Sequence, residues 1–146
     1  DGCSLPTPYF SLTTLANLYL KLITSKKGSP LLKAFRAMTS SPKMVSGTRG
    51  FDTHFMRIFK GKAVSKGGAE GMQALAIQTG TNKHVSLALK VADGNHRGNY
   101  ISCIRILQHL KIINNSQTKT LLDFIQTKQH NLNKIKTGEL LCNIVD

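Results

Sequence analysis

A lysine stands against two glycines in the stretch V-S-K-G-G-A-E-G-M-Q-A-L-A-I, which begins at Val64. Glycine weakens a strand, so a Gly-Gly pair in a strand-like segment indicates that another group must approach the backbone closely. A lysine at the end of such a strand projects its amine over the sheet edge, where a substrate can hydrogen-bond to bare backbone. The predicted site therefore contains Lys66 with Gly67 and Gly68 beside it. Taken alone, this triplet is more typical of a glycine bulge with a surface lysine.

Other patterns of catalytic residues are weaker. An S-x-x-K spacing occurs at Ser40 and at Ser116, but the first contains a proline and the second is typical of a helix cap. Of the five histidines, only His96, just after the predicted sheet, is a candidate for a site. The small number of acidic residues before the final helices does not favour a hydrolase that uses two carboxylates. These acidic residues are Asp1, Asp52, Glu70 and Asp93.

The composition is that of one globular domain with a strongly basic surface. The chain has 146 residues, of which 40% are apolar, and a formal net charge of +13. Its cations are scattered singly, with Lys26-Lys27 as the one adjacent pair. This scatter favours a solvated basic surface over a nucleic-acid-binding module, which remains the less favoured alternative.

The three cysteines, Cys3, Cys103 and Cys142, are far apart and form no C-x-x-C pair. This spacing supports neither a disulfide framework nor a self-contained zinc site, and it favours a reducing, cytoplasmic setting. The sequence opens at Asp1 without methionine, so we expect the chain to be a C-terminal piece of a longer protein.

Local signals predict helices around an antiparallel meander. Ser11 is expected to cap a helix to about residue 23, and Ser29-Pro30 to begin a second that ends before Ser41-Pro42. An apolar-aromatic helical segment is expected over residues 51–59, strands over 62–66, 72–78 and 84–92, and helices over 98–113 and 116–128. Alternation of apolar residues near the end predicts one more strand. The predicted fold class is α+β.

Four blocks occur in a fixed order: D-G-C-S-L-P from Asp1, M-V-S-G-T-R-G-F-D-T from Met44, A-V-S-K-G-G-A-E-G from Ala63 and L-K-V-A-D-G-N-H-R-G from Leu89. Together they resemble the asparaginase II family, the rhizobial thermolabile type of L-asparaginase. The likeness is firm from residue 1 to about residue 110 and weak beyond Asn114.

This resemblance implies a fold similar to glutaminases and serine β-lactamases, and hydrolysis of L-asparagine through a serine acyl-enzyme. It implies that Lys66 is a catalytic lysine and that Asp1, Gly67 and Gly68 face the substrate. It also implies that Cys3 lines the site and, with upstream ligands, can hold a zinc ion, although no cofactor is required. A catalytic lysine acts either as a base or as a charged group that holds an anion, and Arg49 and Arg97 are candidates to supply further positive charge.

The nucleophilic serine, its partner lysine and a second serine of the family have no counterpart in this sequence. We therefore expect the N-terminal catalytic part to lie upstream, and the isolated chain to be inactive. The alternative is a non-catalytic truncated remnant of such an enzyme. The surface that faced the missing part is expected to be apolar, so the chain should pair with itself, as a homodimer, or with that part.

Overall fold

The computed structural model describes residues 4–125 and 127–145; the predictions for Asp1 and Cys3 lie outside these residues. Six α-helices and five strands follow one another in the described part. The helices are α1 (Leu12–Thr24), α2 (Pro30–Ser40), α3 (Pro42–Ser46), α4 (Phe51–Phe59), α5 (His96–His109) and α6 (Asn115–Thr120). The strands are β1 (Ala63–Gly68), β2 (Met72–Gly80), β3 (Lys83–Lys90), β4 (Lys128–His130) and β5 (Lys136–Glu139).

The first two helices begin where the sequence predicts. The Ser11 hydroxyl accepts a hydrogen bond from the Thr14 N–H at 3.1 Å, and Ser29 accepts one from the Leu32 N–H at the same distance. Pro30 occupies the first turn of α2, where its missing N–H costs nothing. Both helix starts are therefore fixed by local chemistry.

Strands β1, β2 and β3 form an antiparallel sheet in chain order, with β1 at one edge. This arrangement confirms the predicted meander and the α+β class. The register places Lys66 opposite Ala74 and Gly67 opposite Gln73. Strand β1 continues through Gly68, so the expectation that it ends at Lys66 is wrong: both glycines belong to the strand itself.

Helices cover both faces of this sheet. On one face, α1 and α2 bring Tyr19, Leu22 and Phe35 against residues that include Val64 and Ala76. A larger core on the other face contains side chains from α4, α5 and the sheet: Phe51, Phe55, Ala63, Leu75, Ile77, Cys103, Ile104 and Leu107. The sheet is thus held between two helical layers, which fixes the direction of β1. None of the described helices is both long and apolar enough to cross a membrane.

The C-terminal predictions are less accurate. Helix α6 is capped by Asn114, whose N–H donates in return to the Gln117 side chain, and not by Ser116; it ends at Thr120. Helix α5 begins at His96 and ends at His109, earlier than expected at both ends. The last strand is Lys136–Glu139, paired with β4, and not the alternating segment after it. Cap residues and strand-like alternation are short signals there, and the capping bonds between Asn114 and Gln117 and the pairing of β4 with β5 decide the outcome.

Candidate active site

Lys66, Gly67 and Gly68 line a cleft of about 470 Å³. The cleft lies where the C-terminal end of β1 meets the start of α4 and the start of α5. Its other lining residues are Ser46, Gly50, Phe51, Asp52, Ala69, His96 and Tyr100. Three segments that are distant in sequence therefore meet at the lysine-glycine triplet.

Lys66 is an exposed residue and lines the cleft. Its Nζ donates a 2.6 Å hydrogen bond to the carbonyl oxygen of Gly67, the next residue. Within residues 4–125 and 127–145, no carboxylate lies within ion-pair distance of this amine. The amine is thus available to an anionic group that enters the cleft.

Both glycines also lie close to side chains inside the protein. A Cβ added at Gly67 would lie 3.3 Å from Oε1 of Gln73, and one at Gly68 would lie 3.1 Å from Cβ of Met72. The Gly67 N–H donates to Oδ2 of Asp52 at 2.9 Å, so this amide is not directed at a ligand. Internal packing therefore accounts for part of the glycine pair, in addition to any approach by a substrate.

Stacked aromatic rings form one side of the cleft. The rings of Phe51 and Tyr100 are 4.6 Å apart at an interplanar angle of 17°, and His96 stacks on Tyr100 at 6.4 Å. Burial, and then the charge of Asp52, raise the pKa of the Tyr100 phenol, which therefore keeps its proton at neutral pH. His96, singled out in the sequence by its place after the sheet, does lie at the cleft.

Sequence reasoning considered Asp52 only as one of a few carboxylates. In the structure it is buried, with 5% of its surface exposed, and accepts hydrogen bonds from Ser65, Gly67 and Gln73. The sequence signal that could have pointed to this buried group is the presence of two polar residues, Ser65 and Gln73, within apolar strand segments. Each lies two residues from an inward-facing apolar residue, which places both on the same face of the sheet.

Other candidate residues are not gathered at the cleft. Neither Arg49 nor Arg97 lines it, and Arg97 forms an exposed ion pair with Asp93 at 3.4 Å. Among the described residues, no group of three His, Cys, Asp or Glu side chains could hold a metal ion. The described residues thus do not by themselves form a zinc site.

Comparison with protein-family models gives a match to L-asparaginase II over residues 1–142. The match extends well past residue 110, where the sequence motifs become weak. A search of curated proteins finds no significant match. Because the family model covers nearly all of the sequence, the chain belongs to the L-asparaginase II family.

Proposed function

We propose that this chain takes part in the hydrolysis of L-asparagine to aspartate and ammonia, with Lys66 as the catalytic residue it supplies. Membership of the L-asparaginase II family supports an asparaginase-type amidohydrolase. The single observation that carries the residue assignment is the exposed Lys66 in the lining of a cleft, with its amine hydrogen-bonded to Gly67, another lining residue.

The proposed chemistry is acyl transfer to a serine. The serine hydroxyl gives its proton to a base while its oxygen attacks the side-chain amide carbon, and the carbonyl oxygen becomes an oxyanion. The proton then passes to the amide nitrogen as the oxyanion collapses and the C–N bond breaks, which releases ammonia. Water hydrolyses the resulting ester and frees aspartate. We place this serine upstream of Asp1, in an N-terminal part of the enzyme that is related to glutaminases and serine β-lactamases.

The hydroxyl groups near the cleft support that placement. The Ser46 hydroxyl accepts a hydrogen bond from the Thr53 N–H in the first turn of α4. The Ser65 hydroxyl is buried and donates to Asp52. In the described part of the chain, no hydroxyl is hydrogen-bonded to Lys66 or His96. A nucleophile needs a base within hydrogen-bond reach, so these serines are poor candidates.

A catalytic lysine acts either as a base or as a charged group that holds an anion, and the charges around the cleft favour the second role. Lys66 is the one lysine or arginine among its described lining residues. A single exposed amine on a flexible stem suits the α-carboxylate of asparagine or the oxyanion, each of which is an anion. We therefore propose that Lys66 acts by holding negative charge.

Two partner predictions accompany this function. Cys3 can contribute to a zinc site only with ligands from outside the described residues, and no step of the proposed reaction passes through a metal.

An upstream part of the enzyme, or a second copy of the chain as a homodimer, would cover the exposed apolar side chains. Large apolar side chains with high exposure include Met44, Leu110 and Leu122.

Release of ammonia from L-asparagine tests the proposal. The chain is assayed alone, the upstream part alone, and the two together. We expect hydrolysis only from the combination. Hydrolysis by the chain alone would contradict an upstream nucleophile, and an inactive but folded combination would contradict the asparaginase assignment.

A further inference from the structure

Asp52 is hydrogen-bonded to the residues on both sides of Lys66. Its Oδ1 accepts from the Ser65 hydroxyl at 2.6 Å, and its Oδ2 accepts from the Gly67 N–H at 2.9 Å. Asp52 belongs to the first turn of α4, whereas Ser65 and Gly67 belong to β1. The carboxylate therefore ties the start of a helix to the strand segment that carries the lysine.

Gln73 on β2 completes this group, which we call the Asp52 cluster: Asp52, Ser65, Gly67 and Gln73. The Gln73 Nε2 donates to Asp52 Oδ1 and to the Ser65 oxygen, each at 2.7 Å. These two bonds fix the amide so that Oε1 lies close to Gly67, where it has no hydrogen-bond partner among the described residues. The side chains of Asp52 and Gln73 thus both lie close to Gly67.

A buried carboxylate is costly unless donors replace its water. Asp52 is 5% exposed, and no lysine or arginine in residues 4–125 and 127–145 forms an ion pair with it. Its compensation comes from three donors and from the positive end of the α4 dipole. An apolar side chain at this position would avoid that cost, so core packing alone does not account for the carboxylate.

Strand β1 needs such support at this point. It is an edge strand, and it pairs only with β2 in the described sheet. The Gly67 N–H donates to Asp52 across the free edge, where a neighbouring strand would otherwise accept it. Two successive glycines have the greatest backbone freedom, and β2 supports the Lys66-Gly67-Gly68 segment from one side only.

We propose that Asp52 is a positioning residue for Lys66: by holding Ser65 and Gly67 it fixes the direction in which the lysine side chain leaves β1. This inference rests on the proposed function, because it assigns Asp52 an effect on the reaction only through Lys66. Displacing a catalytic group by about 1 Å can cost on the order of 100-fold in rate. Loss of the Asp52 bonds is therefore expected to lower activity while Lys66, the group that we propose holds negative charge, stays in place.

A double-mutant cycle tests this role, in the form of the protein that hydrolyses asparagine. Asp52→Asn keeps the shape of the side chain but presents an NH₂ group to donors. We expect it to lower kcat/KM by about 10- to 100-fold, and to cause no further loss in a Lys66→Ala background. Glu139→Gln, which removes an exposed carboxylate paired with Lys136 in β5, is the control and should leave kcat/KM unchanged. Equal losses in both backgrounds would overturn the proposal in favour of a purely structural role.

Ser65→Ala is a second, milder variant that keeps the test decisive if Asp52→Asn fails to fold. It removes one of the three donors to Asp52 and leaves the charge in place, so we expect a smaller loss of kcat/KM that again disappears in the Lys66→Ala background. Hydrogen exchange of the Gly67 amide is measured in parallel and does not depend on activity. Faster exchange in Asp52→Asn, relative to the sheet amides, is the expected result, and unchanged exchange would overturn the proposal. Should Lys66→Ala itself keep full activity, the proposed function fails, whereas Gly67 exchange still decides whether Asp52 holds the strand.

Discussion

The hydroxyl oxygen of Ser46 accepts a 3.1 Å hydrogen bond from the backbone N–H of Thr53. Ser46 is the last residue of α3, and Thr53 lies in the first turn of α4. Gly50 occupies the cap position of α4 but has no side chain to accept this N–H. A serine from the preceding helix therefore caps α4 and fixes the helix start that carries Asp52.

Replacing this cap should destabilise the fold. We expect Ser46→Ala to lower the free energy of unfolding by about 1 kcal/mol, because the Thr53 N–H loses its acceptor. Urea denaturation measures the change. Ser40→Ala is the control, since the Ser40 hydroxyl is exposed and donates only to its own helix, at 3.3 Å. A loss no greater than that of the control would show that the Ser46 bond does not cap α4.

Gly50 should not tolerate a side chain. An added Cβ would lie 2.1 Å from the Ser46 carbonyl oxygen, so α3 and α4 would have to separate. We expect Gly50→Ala to cost about 2–3 kcal/mol in urea denaturation, as overpacked sites do. Gly138→Ala provides the matched control, because no atom lies within 4 Å of its added Cβ. Equal stability of the two variants would contradict the close approach of α3 to α4.

Stability should fall at alkaline pH through Tyr19. Burial, with a smaller contribution from the charge of Asp52, raises the pKa of Tyr19 from 10.0 to about 12. Below pH 10 both the folded and the unfolded chain hold the phenol proton, so the contribution to stability is complete. Between pH 10 and 12 only the unfolded chain loses that proton, and the free energy of unfolding falls by about 2 kcal/mol.

Urea denaturation across this range, for the wild type and for Tyr19→Phe, isolates the effect. The variant lacks the phenol and should lose less stability over the same interval. Parallel pH curves for the two proteins would mean that Tyr19 titrates alike in the folded and unfolded states.

The sequence predicted those parts of the fold that depend on local chemistry. The caps at Ser11 and Ser29 and the strands β2 and β3 are predicted from short segments, and the structure confirms them. The α6 cap was misplaced because Asn114 and Ser116 are both good cap residues, and the bond that the Gln117 side chain accepts from the Asn114 N–H decides between them. Pairing of β4 with β5 depends on contacts along the tail that alternation alone does not encode.

Four of the ten residues that line the candidate site were singled out in the sequence. Lys66 with its glycines and His96 stood out by type and place, and all of them line the cleft. The contribution of Asp52 was not visible, because its partners Ser65 and Gln73 are 13 and 21 residues away. A buried carboxylate is recognised by the donors around it, and those donors converge only once β1, β2 and α4 are packed.

Asparagine hydrolysis by Lys66→Ala tests the central claim most directly, in the form of the protein that is active. Lys62→Ala is the control, since Lys62 is also exposed, immediately precedes β1 and does not line the cleft. Loss of a group that stabilises developing charge typically costs about 100- to 1,000-fold in kcat. We predict a loss of that size in kcat/KM for Lys66→Ala with unchanged folding, and full activity for Lys62→Ala. Wild-type activity in Lys66→Ala would contradict the assignment of Lys66 as the catalytic residue.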